Sequence, residues 1–197
     1  SLPLSAAEIK RFSDGEISVQ ISESVRGKDV FIIQSTCASE TRSVNDNLME
    51  LYLLVCTMKR SSAASITAVI PYYGYARQDR KTRPRVPISA AEVAFMLEIA
   101  GIDRVVTIDL HCGQIQGFFH NVPVDNLYAS AMFVPYFANK KLSNVVVVSP
   151  DAGGVDRANN FLENLAKRGI HGDMALISKQ RAKAGIVASM HLIGNVA

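Results

Sequence analysis

The residues that could do chemistry stand at four places, each just past a short run of β-branched residues. The first is Pro71-Tyr-Tyr-Gly-Tyr-Ala-Arg77-Gln78-Asp79-Arg80-Lys81, with Arg83 and Arg85 following. An arginine there offers a planar fork suited to phosphate oxygens or an adenine edge, and the preceding aromatics can stack on a base. The second is Asp109-Leu-His111, two potential metal ligands on one side of an extended chain. Mixed His and carboxylate ligation permits several metals, but with phosphates nearby Mg2+ is favoured. The third is Ser149-Pro-Asp151-Ala-Gly153-Gly154, leading into a helix. Its glycines let backbone N–H groups approach an anion, and a helix N-terminus favours negative charge there. The fourth is Ser178-Lys179-Gln180-Arg181-Ala-Lys183, followed by the small residues Ala184 and Gly185. Cations on a mobile loop can close over a transferring phosphoryl group. Singly, these are also a solvated basic loop, a structural histidine, a tight turn and a basic surface turn. Together they place charge or glycine past four successive strands, which points to a site for a polyanionic small ligand.

The elements that must position them alternate. Runs at 29–34, 65–70, 104–109 and 144–149 have the length and near-continuous apolar character of strands buried on both faces. Segments 173–177 and 189–193 are weaker strands, and Ile17, Val19 and Ile21 alternate as a strand with one wet face. Val44, Leu48, Leu51, Tyr52, Val55 and Met58 fall on one helical face, with Ser43 at the N-cap and Asp46 three residues on. Ser89-Ala-Ala-Glu92 reads as a capping box for a helix ending near Gly101, and segments 127–139 and 155–168 complete the set. Strand–helix alternation predicts an α/β fold, an open and mainly parallel sheet with helices on both faces. Ligands of such sheets bind beyond the carboxyl ends of the strands, where the four places lie. A polar stretch at Asn139-Lys140-Lys141 separates two strand–helix blocks, giving domains over 1–139 and 140–197.

Bulk properties narrow the class. The 197 residues are 48% hydrophobic and 20% charged, the balance of a folded globular chain. A net charge of +3 is too small to argue for nucleic acid, which needs many clustered cations. No run approaches the roughly 18 apolar residues of a membrane span. Residues 1–10 lack the order of a signal peptide. Cys37, Cys56 and Cys112 are odd in number without metal spacing, which suits a reducing compartment, so cytoplasmic is the expectation.

The motifs then resemble a known family. Phe12-Ser-Asp-Gly-Glu16, Pro71-Tyr-Tyr-Gly-Tyr-Ala-Arg-Gln-Asp79, Asp109-Leu-His111, Gln114-Ile-Gln-Gly-Phe-Phe119, Pro123-Val-Asp-Asn-Leu127, Ser149-Pro-Asp-Ala-Gly-Gly154 and Lys179-x-Arg181 occur in the order found in ribose-phosphate pyrophosphokinases (PRPP synthetases). The resemblance implies a phosphoribosyltransferase-type parallel sheet with flanking helices, an N-terminal domain plus the start of a second similar one. It implies transfer of the diphosphoryl group of Mg-ATP to the anomeric hydroxyl of ribose-5-phosphate, giving PRPP and AMP for nucleotide biosynthesis. Mg2+ is the implied cofactor and inorganic phosphate an activator. Carried over by position, Phe12, Asp14, Gly15 and Glu16 meet adenine from a neighbouring subunit of a homo-oligomer, and Arg77, Gln78 and Asp79 hold ATP. His111 and Asp151 organise Mg2+ with Asp109 and Asp125 as further ligands. Ser149, Gly153 and Gly154 face phosphate or ribose, and Lys179 and Arg181 act at the transferring group.

Two departures stand out. The family's first strand and helix have no counterpart ahead of Ser1, and its ribose-phosphate loop has none before Ala197. The expectation is a chain short at both ends that binds Mg-ATP weakly and does not complete the reaction alone. His120-Asn121 stands where the family commonly has one aspartate, which bears on one metal contact. A non-catalytic associated regulatory subunit is expected to lose the lysine and arginine that here stand at 179 and 181. A salvage phosphoribosyltransferase needs the acidic loop not visible here, and a receiver-like domain shares only an acidic strand end.

Overall fold

The computed structural model describes residues 3–140, 142–183, 186–194 and 196, with backbone alone at 179–183 and 186–188. Contacts divide the chain into two units, Ser1–Tyr128 and Ala129–Ala197. The division falls ahead of the polar stretch at 139–141, where the sequence suggested a boundary, and places the helix before that stretch with the second unit.

The first unit opens with an antiparallel hairpin, β1 (Ala7–Arg11) and β2 (Ile17–Ile21), a sheet of its own. Four strands then form a parallel sheet in the order β3 (Asp29–Ile33), β4 (Ser65–Ile70), β5 (Arg104–Ile108) and β6 (Val124–Leu127). Parallel neighbours need crossovers, supplied between β3 and β4 by α1 (Val44–Arg60) and between β4 and β5 by α2 (Ser89–Ala100). The register aligns Ile32 with Ala68 and Ala68 with Val105, so one row of inward residues runs across the sheet. That row meets Leu51 and Val55 of α1 and Leu97 of α2 in a core where all three are fully buried. Each such side chain contributes roughly 1.5–3 kcal/mol through removal from water. Asp103 ties β4 to the start of β5: its carboxylate accepts from the Ile66 N–H at 2.7 Å, and its own N–H donates to the Ile66 carbonyl at 2.8 Å.

Burial on both faces holds for β4, where Ile66, Thr67, Ala68 and Ile70 are all buried. It does not hold for β3, whose Val30 and Ile32 turn inward while Phe31 and Ile33 remain 65% and 62% exposed. The two helices of this unit also pack on each other, and α1 covers β2, β3 and β4. The parallel sheet with flanking helices stands as expected.

Local chemistry explains the helix ends. Ser43 caps α1 in a full capping box, accepting from the Asp46 N–H while the Asp46 carboxylate accepts from the Ser43 N–H at 2.7 Å. At α2 the box expected from Ser89 and Glu92 does not form: Ile88 is the N-cap and makes no side-chain cap. Gly101 ends α2 in the left-handed region at φ 101°, which glycine enters without Cβ strain.

The second unit holds α3 (Ser130–Ala138), β7 (Val145–Ser149), α4 (Val155–Ala166), β8 (Gly172–Lys183) and β9 (Ile186–Ile193). Here β7 and β8 are parallel while β8 and β9 pair antiparallel. The helix expected from residue 127 begins at Ser130, because Val124–Leu127 is taken into the sheet beside β5. Phe137 of α3 and Phe161 of α4 meet edge to face, centroids 6.1 Å apart. Among the described residues no helix is long and apolar enough to cross a membrane.

Candidate functional site

The loop after β4 is fastened along most of its length. Thr36, just past β3, donates its N–H and its hydroxyl to the Tyr72 carbonyl, both at 2.9 Å, and accepts from the Gly74 N–H at 2.6 Å. Gly74 is needed there, since a Cβ would lie 2.4 Å from the Thr36 carbonyl oxygen. The Tyr73 hydroxyl donates to the Ala90 carbonyl at 3.0 Å, and its ring meets Phe119 edge to face. Burial drives the Tyr73 phenol well above its ordinary pKa, so it remains a donor. The Tyr75 hydroxyl donates to the Asn45 side chain on α1.

Gln78 is bound next. Its carbonyl accepts from the Ala90 N–H at 3.2 Å, and its side-chain oxygen accepts from the Ser89 hydroxyl. The serine that looked like a cap is thus spent on the candidate ATP residue. Asp79 is held from the other side: one carboxylate oxygen accepts from the Cys112 thiol at 3.0 Å and from the Gln114 amide at 3.0 Å. The thiol hydrogen bond is the main reason the Asp79 carboxyl lies below its ordinary pKa, with Arg80 and His111 adding positive charge nearby. Burial first, then the Asp79 carboxylate, pushes the Cys112 thiol up to about 11. Arg77 lies between these anchors, exposed, and its guanidinium takes no partner among the described residues.

The loop after β5 is tied to the end of β6. Asp109 donates its N–H to the Leu127 carbonyl at 2.8 Å, and the Leu110 N–H meets the Asn126 side chain at 3.2 Å. Asp109 takes φ 48°, a left-handed conformation uncommon for a non-glycine residue and often found where a side chain must be aimed. His111 follows, exposed, and then a 3-10 helix, Gly113–Phe118, seated by the fully buried Ile115.

The candidate metal ligands are not gathered. Asp125 sits two residues before the end of β6 and pairs with Arg104 at 3.5 Å. Among the described residues no three or more of His, Cys, Asp and Glu cluster as a metal site. The donor set fits Mg2+ shared with a nucleotide, since that ion takes one or two protein groups and fills its shell with water and phosphate oxygens. His120 is exposed, and Asn121 beside it docks on Glu98 of α2, its N–H 2.7 Å from the carboxylate.

The tip of the β1–β2 hairpin carries Phe12, Asp14, Gly15 and Glu16. It is closed by Phe12 N–H to Glu16 carbonyl at 2.9 Å, with Gly15 at φ 95° and Phe12 59% exposed. Arg11 ties the hairpin to α1 through Asp46 at 3.1 Å. Among the described residues no hydrogen bond or ion pair joins this tip to the Arg77 loop.

In the second unit, Ser149 is fully buried and donates to the Asp151 carbonyl at 2.7 Å, which shapes the loop. The Gly154 N–H donates to the same carbonyl at 3.2 Å, and a Cβ at Gly154 would meet the Ser149 hydroxyl at 2.8 Å. Gly153 is exposed in the same turn. Lys179 and Arg181 are a correction. They were expected in a loop, but β8 runs on to Lys183, and their backbones pair with Met190 and Val187 with register shifts around Arg181. Their side chains lie outside the described residues. The polar run read as loop because it lacks the apolar alternation by which a half-buried strand is recognised.

Sequence reading gave none of these anchoring roles to Thr36, Ser89, Cys112 or Gln114. The partners of all four lie 11 to 38 residues away, so no local spacing marks them.

Comparison with known proteins gives a consistent result. Residues 1–101 match the N-terminal domain of ribose phosphate pyrophosphokinase. The chain is 59% identical over 196 residues to the ribose-phosphate pyrophosphokinase of Campylobacter jejuni, covering 100% of this chain and 60% of that protein. It is 56% identical over 195 residues to that of Wolinella succinogenes, covering 99% and 60%. The crystal structure of phosphoribosylpyrophosphate synthetase from Mycobacterium smegmatis aligns with a TM-score of 0.81 at 41% identity, over 99% of this chain and 60% of that one. The chain thus spans about 60% of the length of these relatives.

Proposed function

The chain belongs to the ribose-phosphate pyrophosphokinase family, and from that membership we propose that the protein makes PRPP and AMP from Mg-ATP and ribose-5-phosphate. The anomeric hydroxyl attacks the β-phosphorus of ATP. Its proton leaves, the bond from the β-phosphorus to the oxygen bridging to the α-phosphorus breaks, and AMP departs with that oxygen. The diphosphoryl group is transferred whole, so positioning and charge neutralisation carry the step.

The observation that carries this reading is the Arg77 loop. An unpaired guanidinium is held between fixed neighbours at the carboxyl end of a parallel strand, where such sheets take ligands. Arg77 binds ATP phosphate oxygens or the adenine edge, and Gln78 orients the nucleotide through the amide nitrogen that Ser89 leaves open. Asp14 and Glu16 accept from adenine with Phe12 against the base, all three supplied by the hairpin of a second copy in a homo-oligomer. His111 and Asp151 hold Mg2+, with Asp109 and Asp125 as further carboxylates. That ion, when bound, supplies positive charge to the phosphates. Gly153 and Gly154 bring backbone close to the ribose-phosphate side. Lys179 and Arg181 neutralise the transferring group, and inorganic phosphate acts as activator. A cytoplasmic location follows from the metabolic role.

The test is ribose-5-phosphate-dependent AMP formation from Mg-ATP, with the natural gene product and residues 1–197 side by side. AMP from the gene product is the expected result. Lys179→Ala should lower kcat, while Arg77→Ala should raise KM for ATP more than it lowers kcat. No AMP from the gene product would move the chain to the non-catalytic regulatory class. A Lys179→Ala variant that lost ATP affinity but turned over normally at saturation would end that residue's assignment.

A further inference from the structure

We infer that Asp79 is a positioning residue, and that Cys112 and Gln114 use it to lock the Arg77–Gln78 segment onto the loop that carries His111. The inference rests on the reading of Arg77 and Gln78 as nucleotide contacts, and it changes the role of Asp79 from ligand contact to clamp.

The geometry points this way. One oxygen of the Asp79 carboxylate takes both the Cys112 thiol and the Gln114 amide at 3.0 Å. The half-buried carboxylate thus faces protein donors. A carboxylate that already accepts two protein donors, and is negative besides, is a poor contact for a nucleotide phosphate. The two donors sit on either side of Gly113, one and three residues after His111, so they share the backbone that aims the histidine. Gln114 is exposed, but its backbone lies in the 3-10 helix seated by the buried Ile115, which anchors the base of its side chain.

On the other flank, Gln78 is bound to the N-terminal turn of α2 through Ser89 and Ala90. The two residues that follow Arg77 are therefore suspended from α2 and from the β5 loop. Removing one suspension leaves the arginine in place but free to sweep. A guanidinium that must meet phosphate oxygens pays that freedom back on binding, so affinity falls without loss of the contact itself. Charge-assisted hydrogen bonds are about twice as strong as neutral ones, which makes the carboxylate the effective centre of the tie.

The experiment uses the whole gene product in two readouts. Amide exchange at residues 78 and 90 reports the loop without any nucleotide. Equilibrium binding of Mg-ATP reports the consequence. Gln114→Ala and Cys112→Ala should each speed exchange at these amides about three- to tenfold and weaken Mg-ATP by a similar factor, with exchange in β4 and β5 unchanged. Cys112→Ser keeps a donor and should restore both. Adding Gln114→Ala to Asp79→Ala should do no further harm, since Gln114 has already lost its partner. Equal behaviour of Cys112→Ala and Cys112→Ser would overturn the clamp, because the sulfur would then only fill space. Unchanged exchange in Gln114→Ala, with Mg-ATP bound normally by wild type, would overturn it as well. Wild type that binds no Mg-ATP would overturn the nucleotide reading, and the clamp's role in it, in one step.

Discussion

Gly74→Ala puts the packing of the Arg77 loop to a direct test. The added methyl would lie 2.4 Å from the Thr36 carbonyl oxygen, 3.0 Å from its hydroxyl and 3.2 Å from a Val44 methyl. The first of these is backbone and cannot swing aside, so the loop must retreat by about 1 Å to reach ordinary contact. Retreat breaks the 2.6 Å bond from the Gly74 N–H to the Thr36 hydroxyl and stretches the two bonds Thr36 makes to Tyr72. A buried donor left unpaired costs about 1–3 kcal/mol, and forced overpacking costs about the same. The two overlap in one movement, so the expected loss is roughly 2–4 kcal/mol, or on the order of 5–15 °C in Tm. Urea unfolding should be followed on resolved signals of the first unit, so that the second unit's own transition does not enter. Gly117→Ala is the control: it adds the same methyl where nothing lies within 4 Å, and should stay within about 0.5 kcal/mol of wild type. Mg-ATP affinity should fall in Gly74→Ala as well, because Arg77 rides three residues further along the same loop. A Gly74→Ala protein that unfolds at the same urea concentration as the Gly117→Ala control would refute the reasoning.

Two further outcomes follow from single groups. The Ser43 N–H and hydroxyl, with Arg11 beside them, hold Asp46 at a pKa of about 2 against an ordinary 3.8. A depressed carboxylate contributes stability that is present above pH 3.8 and lost as pH falls through 2, so Asp46→Asn should flatten that acid limb in a pH series of urea melts. Ser43→Ala should cost about 1 kcal/mol at neutral pH in the same melts. Thr107 is fully buried on β5, and its hydroxyl is the one buried side-chain polar atom without a partner among the described residues. Thr107→Val should therefore stabilise by about 0.5–1 kcal/mol, and a lower unfolding midpoint would mean that the hydroxyl has a partner after all.

What the sequence made legible depended on whether the signal was local. The six apolar or small residues of β4 and the i, i+4, i+7 stripe of α1 are set by burial of neighbouring residues, and both appear where periodicity put them. Three of the four chemical segments likewise stand at strand ends as expected, while the fourth, 178–183, lies within β8. Of two four-residue patterns of serine and acid, Ser89 with Glu92 read as the cleaner box, yet only Ser43 with Asp46 caps a helix. Ser89 turns to Gln78, a choice made by tertiary neighbours that the pattern does not encode. β6 went unread, and its last residue, Leu127, was given to the following helix, because four residues are too few to fix a period. The clamp on Asp79 left no trace, since Cys112 and Gln114 are ordinary residues until the sheet brings them 3.0 Å from a carboxylate more than 30 positions earlier.

The parallel order β3-β4-β5-β6 also governs when the candidate site can exist during folding. Thr36 reaches Gly74 across 38 residues and Asp79 reaches Gln114 across 35, and each contact closes a crossover containing a whole helix. Non-local pairings of this kind are entropically late, and folds dominated by them form in milliseconds to seconds rather than microseconds. The nucleotide loop thus has no short-range nucleus of its own. An excised peptide over 71–88 would be unstructured, and on a growing chain the Arg77 segment waits about 35 further residues before its clamp arrives. Until then its arginines and Lys81 are a bare polycationic stretch, available to any polyanion that meets them first.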